Sequence, residues 1–192
     1  MFRGVYADEI ENFDPKEITN EYKASSEKLL KQIKQLRGEY GRYKGAFAEF
    51  VIIQNLDHEA YKNNELFKST MQNLPDAFEF TEYERVWSYN SPPLHEPEFQ
   101  VDIFARASEN QYSLIWEVKN RKAKFAVKEA EHFIKKADEL MKIENIGKAV
   151  LIVFSAGGFF KNTLDYLEKH EIAWASDRKW LEKTSKTERK VL

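Results

Sequence analysis

Two carboxylates and an ammonium sit in a pair of apolar segments at a spacing that could do chemistry. EFQVDIFARA (98–107) and YSLIWEVKN (112–120) both read as strands, and the polar turn SENQ separates them. With the turn centred between Glu109 and Asn110, residues whose numbers add to 219 stand opposite one another, so Asp102 faces Glu117. Carboxylates opposed across a ladder repel, and the arrangement costs stability unless a cation lies between them. Lys119 shares their face, while Trp116 and Val118 point to the other. Oxygen ligands without His or Cys suit a hard ion, Mg²⁺ or Mn²⁺. The neighbouring ammonium can hold a water at such an ion or help deprotonate it. The tripeptide alone carries little weight, because Asp/Glu-x-Lys begins at Asp14, Glu21, Glu117, Asp177 and Glu188. Only the copy at Glu117 interrupts an apolar strand and has an acid at the matching register of the strand before it. The same residues also read as a surface Glu–Lys pair on an exposed sheet.

Glu49 is the second anomaly. Ala46, Ile53 and Leu56 fall on its helical row, which places its carboxylate on or beside an apolar stripe. Burying an unpaired carboxylate is costly. Both a structural salt bridge and a place beside a metal would answer that cost. Charge is distributed unevenly around these residues. Residues 119–136 carry seven basic side chains, among them Lys122, Lys124 and Lys128, against Glu129 and Glu131. Residues 178–192 carry six basic and two acidic side chains, and residues 57–98 nine acidic and three basic. The positive part lies next to the carboxylates, as a phosphate-binding footprint would require, although a charge run is also the ordinary dress of a solvated face.

The elements that must position these groups follow from periodicity. Residues 16 to about 37 predict a helix with Ile18, Tyr22, Leu29, Ile33 and Leu36 on one stripe, interrupted by Gly38 and Gly41. That stripe can dock on the domain or pair with a second copy, and docking is the preferred expectation. A second helix is predicted at about 42–56 and a third near 59–71. FEFTEYERVWSYN (78–90) starts a meander completed by the two strands above. A helix at about 126–143, the apolar strand KAVLIVFS (148–155), a short helix (159–170) and the strand EIAWAS (171–176) follow. Gly157-Gly158 reads as a turn before the short helix, and His58, His95, His132 and His170 lack the spacing of metal ligands. The expected fold is α/β, with a mixed central sheet flanked by helices. Residues 1–40 would form an N-terminal helical extension, 41–176 the domain, and 177–192 a polar, basic tail.

Composition narrows the function classes. The chain has 192 residues, 42% of them hydrophobic and 14% aromatic, enough for a sizeable core. Its 30 Lys+Arg against 32 Asp+Glu argue against a uniformly basic binder. With no cysteine, the chain excludes disulfides, Cys-ligated zinc, iron–sulfur clusters and thiol catalysis. The segment MFRGVYADEIENF has no apolar signal core, and the longest apolar run, Ala149 to Phe154, is far shorter than the roughly 20 residues of a membrane span. A soluble, cytoplasmic protein without membrane association is expected.

Helix-borne Glu49, then Asp102, then Glu117-Val118-Lys119 resemble the PD-(D/E)XK nuclease superfamily. The order of elements from about 42 to 176 is similar to its restriction-endonuclease-like fold, a three-layer sandwich. The run from EVKNR through an apolar strand ending in Ser-x-Gly-Gly-Phe-Phe to EIAWAS is similar to the Mrr-like restriction endonuclease branch. Val101 stands where the pattern has Pro, and the helix after the motif lacks the Gln that several branches carry. The resemblance implies a DNA endonuclease leaving 5′-phosphate and 3′-hydroxyl ends. Asp102, Glu117 and the Val118 carbonyl would bind Mg²⁺, Lys119 would orient the attacking water, and Glu49 would hold a metal-bound water or a second ion. Gln100 and Arg121, which also read as ordinary surface groups, could touch phosphate. A homodimer is expected for double-strand cutting, and a specificity or motor partner would supply the sequence recognition for which no domain is evident. A structure-selective junction or flap nuclease shares the same site, and a catalytically inactive nuclease-fold binding module is the alternative from another class.

Overall fold

The computed structural model describes residues 15–182, with side-chain environments from residue 22 onward. The chain divides into two units between Arg42 and Tyr43. Helix α1 (Pro15–His58) contributes to both. It runs unbroken through Gly38 and Gly41, where two separate helices were expected. Each glycine costs a helix only about 1 kcal/mol, which a long helix absorbs. In the first unit Tyr22, Leu29, Ile33 and Leu36 of the expected stripe are exposed, and the side chain of Ile18 lies outside the described residues.

The second unit is built on a six-stranded mixed sheet. Its elements after α1 are α2 (Asn64–Lys68), β1 (Met71–Gln72), β2 (Arg85–Asn90), β3 (Gln100–Arg106), β4 (Ser113–Lys119), α3 (Val127–Ile143), β5 (Ala149–Ser155), α4 (Lys161–Lys169) and β6 (Ala173–Ala175). The spatial order is β1-β6-β5-β4-β3-β2. β2–β3–β4 form an antiparallel meander, β4–β5–β6 are parallel, and the two-residue β1 pairs antiparallel with β6. The crossovers through α3 and α4 allow the parallel half.

Both faces of the sheet are covered. On one, Ala48, Ile52 and Leu56 of α1, four residues apart, pack with Ile103, Leu114, Trp116 and Phe154. On the other, Ala130, Phe133, Ala137 and Leu140 of α3 and Leu167 of α4 pack with Phe104, Ile115 and Val153. β4 and β5 are therefore buried on both sides and read as continuous apolar runs. The interruption in β4 is Glu117.

Three further expectations are corrected. The helix expected near 59–71 shrinks to α2, and Met71–Gln72 joins the sheet edge. Only Arg85–Asn90 of the expected 78–90 strand pairs in the ladder. Phe78 and Phe80 are buried and Glu79 between them is exposed, so the alternation is real. The Asn64 amide, however, stands in for a strand, donating to Phe80 O at 2.7 Å and accepting from Phe80 N at 2.9 Å. Finally, the expected polar tail begins with a 3₁₀ turn (Arg178–Leu181) that seals the core. Trp180 is fully buried against Phe67, Phe80 and Trp116, and its Nε1 donates to Thr70 Oγ1 at 2.9 Å. Lys183, Lys186, Arg189 and Lys190, which carry much of that segment's charge, lie outside the described residues.

Candidate active site

The meander sets the geometry of the carboxylates. β3 and β4 pair as Ala105↔Leu114, Phe104↔Ile115 and Ile103↔Trp116, the register in which residue numbers add to 219. Continued by two residues, it would bring Val118 opposite Val101. Instead the Val118 N–H donates to Asp102 Oδ2 at 2.7 Å. A side-chain carboxylate has entered the ladder where a backbone carbonyl would be expected. On its other side, β3 carries a bulge. From Trp87↔Phe104 to Tyr89↔Val101, β2 advances two residues and β3 three. A bulge bends its strand and redirects side chains, and this one falls at Asp102–Ile103.

Two lysines hold Glu117, which is only 6% exposed. Lys119 Nζ lies 2.5 Å from Glu117 Oε1 and 3.4 Å from Asp102 Oδ2. Lys136 Nζ, from α3, lies 2.9 Å from Glu117 Oε2. Helix α1 brings Glu49, half-buried, within electrostatic reach of Asp102, Lys119 and Glu117. Three carboxylates thus share two ammonium groups, and the charge does not balance. The imbalance shows in the titration of the acids. Burial first, then the negative charges of Asp102 and Glu117 push Glu49 up to about 7, against the pull of Lys119. Asp102 is raised by burial and by Glu117, with Lys119 and the Val118 N–H opposing. Burial alone would lower Lys119, but Glu117 and Asp102 outweigh it and hold the ammonium charged. In this state Lys119 is a donor rather than a base.

The donor chemistry fits a hard divalent cation: oxygen ligands only, on adjacent strands, with a surplus of negative charge. Among the described residues, however, no group of three or more His, Cys, Asp or Glu is arranged to hold a metal ion. The lysines occupy the positions that a cation would contest.

The proposed phosphate contacts are dispersed. Gln100 is exposed and donates to Ser88 Oγ at 3.3 Å. Arg121 clamps both oxygens of Glu129 at 2.5 and 2.6 Å. Lys124 lies over the Phe160 ring, and Lys122 and Lys128 are exposed. The loop carrying these groups is fixed from below. Asn120 Nδ2 donates to Lys44 O on α1, and Ala156 N donates to Lys119 O. Gly157 lies so close that a Cβ there would be 2.5 Å from Ala123 O.

Searches of protein-family models, of curated proteins and of solved structures find no match to the chain. The site therefore stands on its own geometry.

Lys136 is the residue that sequence reasoning missed as a member of the site. In sequence it belongs to the basic run 119–136. A signal was available, since Lys136 lies three residues after Phe133 and four before Leu140, both buried. That row points toward the sheet, where only a carboxylate could meet it. Beside it a cleft of about 400 Å³ opens, lined by Glu117, Lys128, Glu129, His132 and Lys136. His132 is exposed along this cleft. No helix among the described residues is long and apolar enough to cross a membrane.

Proposed function

We propose that this chain is a Mg²⁺-dependent DNA endonuclease with a restriction-endonuclease-like core, hydrolysing phosphodiester bonds to 5′-phosphate and 3′-hydroxyl ends. The observation that carries this reading is the meeting of Asp102 and Glu117 where β3 and β4 part, with Lys119 bound to both. Asp102, Glu117 and the Val118 carbonyl are the oxygens that would hold Mg²⁺ or Mn²⁺, an ion whose chemistry is to withdraw charge from a phosphate oxygen and acidify water.

The chain's own groups supply the rest. Lys119, kept cationic by its neighbours, donates a hydrogen bond to the attacking water and holds it in line. Glu49, within electrostatic reach of Asp102 and Glu117, would hold a metal-bound water or a second ion. Lys122 and Lys128, exposed on the segment after β4 and the start of α3, offer charge to the phosphate backbone. Arg121 must first leave Glu129 to join them.

A second reading has its own observation. Both Glu117 oxygens are bound by lysine ammonium groups, which is how an inactive nuclease-fold binding module would neutralise a retained carboxylate. One experiment separates the two. Mg²⁺ binding is measured by calorimetry on chelator-stripped wild type and Asp102→Asn, and plasmid nicking is assayed on the same samples. The nuclease reading expects binding and nicking in wild type and loss of both in the variant. Wild type that neither binds Mg²⁺ nor nicks DNA refutes the nuclease reading and favours the binding-module one.

A further inference from the structure

Every residue of α1 from 22 to 43 is exposed. Helices in globular proteins owe most of their stability to a packed apolar face, and one without it is marginal in water. This stretch has such a face, uncovered. Tyr22, Leu29, Ile33, Leu36 and Tyr40 are between 44% and 72% exposed. Their spacing is that of a heptad repeat. Tyr22, Leu29 and Leu36 fill the d positions, and Ser26, Ile33 and Tyr40 the a positions. The same repeat continues in the sequence through Tyr43, Phe47 and Phe50.

We propose that α1 pairs with a second copy of this chain as a parallel, two-stranded coiled coil along this seam. A period of 3.5 residues keeps an apolar stripe facing one partner helix over several turns, which a 3.6-residue stripe does not. Leucine at d with β-branched Ile33 at a favours two strands. Gly38 and Gly41 fall at f and b, off the seam, and a Cβ at either would meet nothing within 4 Å. Their absent side chains therefore remove no packing between the helices.

Charge selects both partner and orientation. The e positions are Lys23, Leu30, Arg37 and Lys44, three cations and no acid. An antiparallel pair sets e against e of the other copy, cation against cation. A parallel pair sets g against the following e, so Glu39 meets Lys44 of the other copy, once on each side of the seam. Pairing of this kind stands or falls independently of any catalysis.

The full chain tests it directly, because it contains no cysteine. Sedimentation equilibrium should give twice the 22.7 kDa chain mass. Leu29→Cys, at d, should form an oxidised cross-linked dimer, whereas Lys31→Cys, at f, should not. Leu29→Lys with Leu36→Lys should weaken the dimer by more than about tenfold, while the unfolding transition of the rest of the chain stays in place. A monomeric wild type overturns the proposal, and so does a dimer that survives the double lysine variant. A dimer in which Leu29→Cys does not cross-link refutes the parallel geometry.

Discussion

Replacing Glu49 by Gln should make the metal-free protein more stable at pH 8 and leave it nearly unchanged at pH 4. In the folded chain the Glu49 carboxyl is raised from 4.5 to about 7, chiefly by burial and then by Asp102 and Glu117. Below pH 4.5 both folded and unfolded chains carry the proton, and the group contributes no pH dependence. Between 4.5 and 7 the unfolded chain releases it while the folded chain keeps it, so stability falls as pH rises. Above 7 the loss is complete. At 1.36 kcal/mol per pKa unit the full shift corresponds to about 3 kcal/mol. Glu49 is only half-buried and solvent screens it, which reduces the figure to about 1–2 kcal/mol. Glutamine keeps the shape and has no charge to bury. Urea unfolding of both proteins in chelator, followed by the fluorescence of the core tryptophans at pH 4.5, 6 and 8, measures the difference. The two curves should separate across that window and run parallel above it. Wild type and variant curves that stay parallel from pH 4.5 to 8 would falsify the crowding of Glu49 by the two strand carboxylates.

Other perturbations test different parts of the molecule. Trp180→Ala empties a fully buried site between Phe67, Phe80 and Trp116 and should cost about 3–5 kcal/mol in chemical denaturation. A loss under 1 kcal/mol would mean the C-terminal turn does not seal the core. Lys136→Met removes the ammonium that contests Glu117 Oε2 and should tighten Mg²⁺ binding about fivefold by calorimetry, corresponding to roughly 1 kcal/mol. Weaker binding would show that Lys136 supports the metal-competent geometry. Gly157→Ala drives a methyl into the carbonyls of Arg121, Lys122 and Ala123. It should destabilise the protein by about 1–3 kcal/mol and shift the amide NMR signals of residues 119–125.

Much of the site's framework was legible because it rests on local rules. A polar turn at 109–110 and two apolar runs define the β3–β4 register from Ala105↔Leu114 to Ile103↔Trp116, and Asp102 and Glu117 are the next residues along the two strands. The doubly buried β5 announced itself as a continuous apolar run, and β4 as an apolar strand interrupted by Glu117. What escaped depends on partners distant in sequence. The extended segment at Phe78–Phe80 has the alternation of a strand, but its backbone is satisfied by Asn64 rather than a ladder. Trp180 could be expected to pack, but the pocket that receives it is made by Thr70, Phe67 and Phe80, far away in the chain. Lys136 looked like one more surface cation until Glu117 came within reach. The bulge at Asp102–Ile103 leaves no mark in composition, since it is a mismatch between two strands rather than a property of either.

The burial of Trp180 bears on how the protein is made. Asn55 Nδ2, on α1, donates to the Trp180 carbonyl across 125 residues of chain. At the usual 5–20 residues per second, a ribosome takes roughly 6 to 25 s to cover that distance. Throughout that interval Ala48, Ile52 and Leu56 have been synthesised, but the indole that completes their cluster has not. The nascent chain must therefore leave one side of its sheet wet until the turn at 178–181 clears the exit tunnel. A translational pause within that stretch would prolong the interval in which a chaperone, or a neighbouring nascent chain, meets an open core.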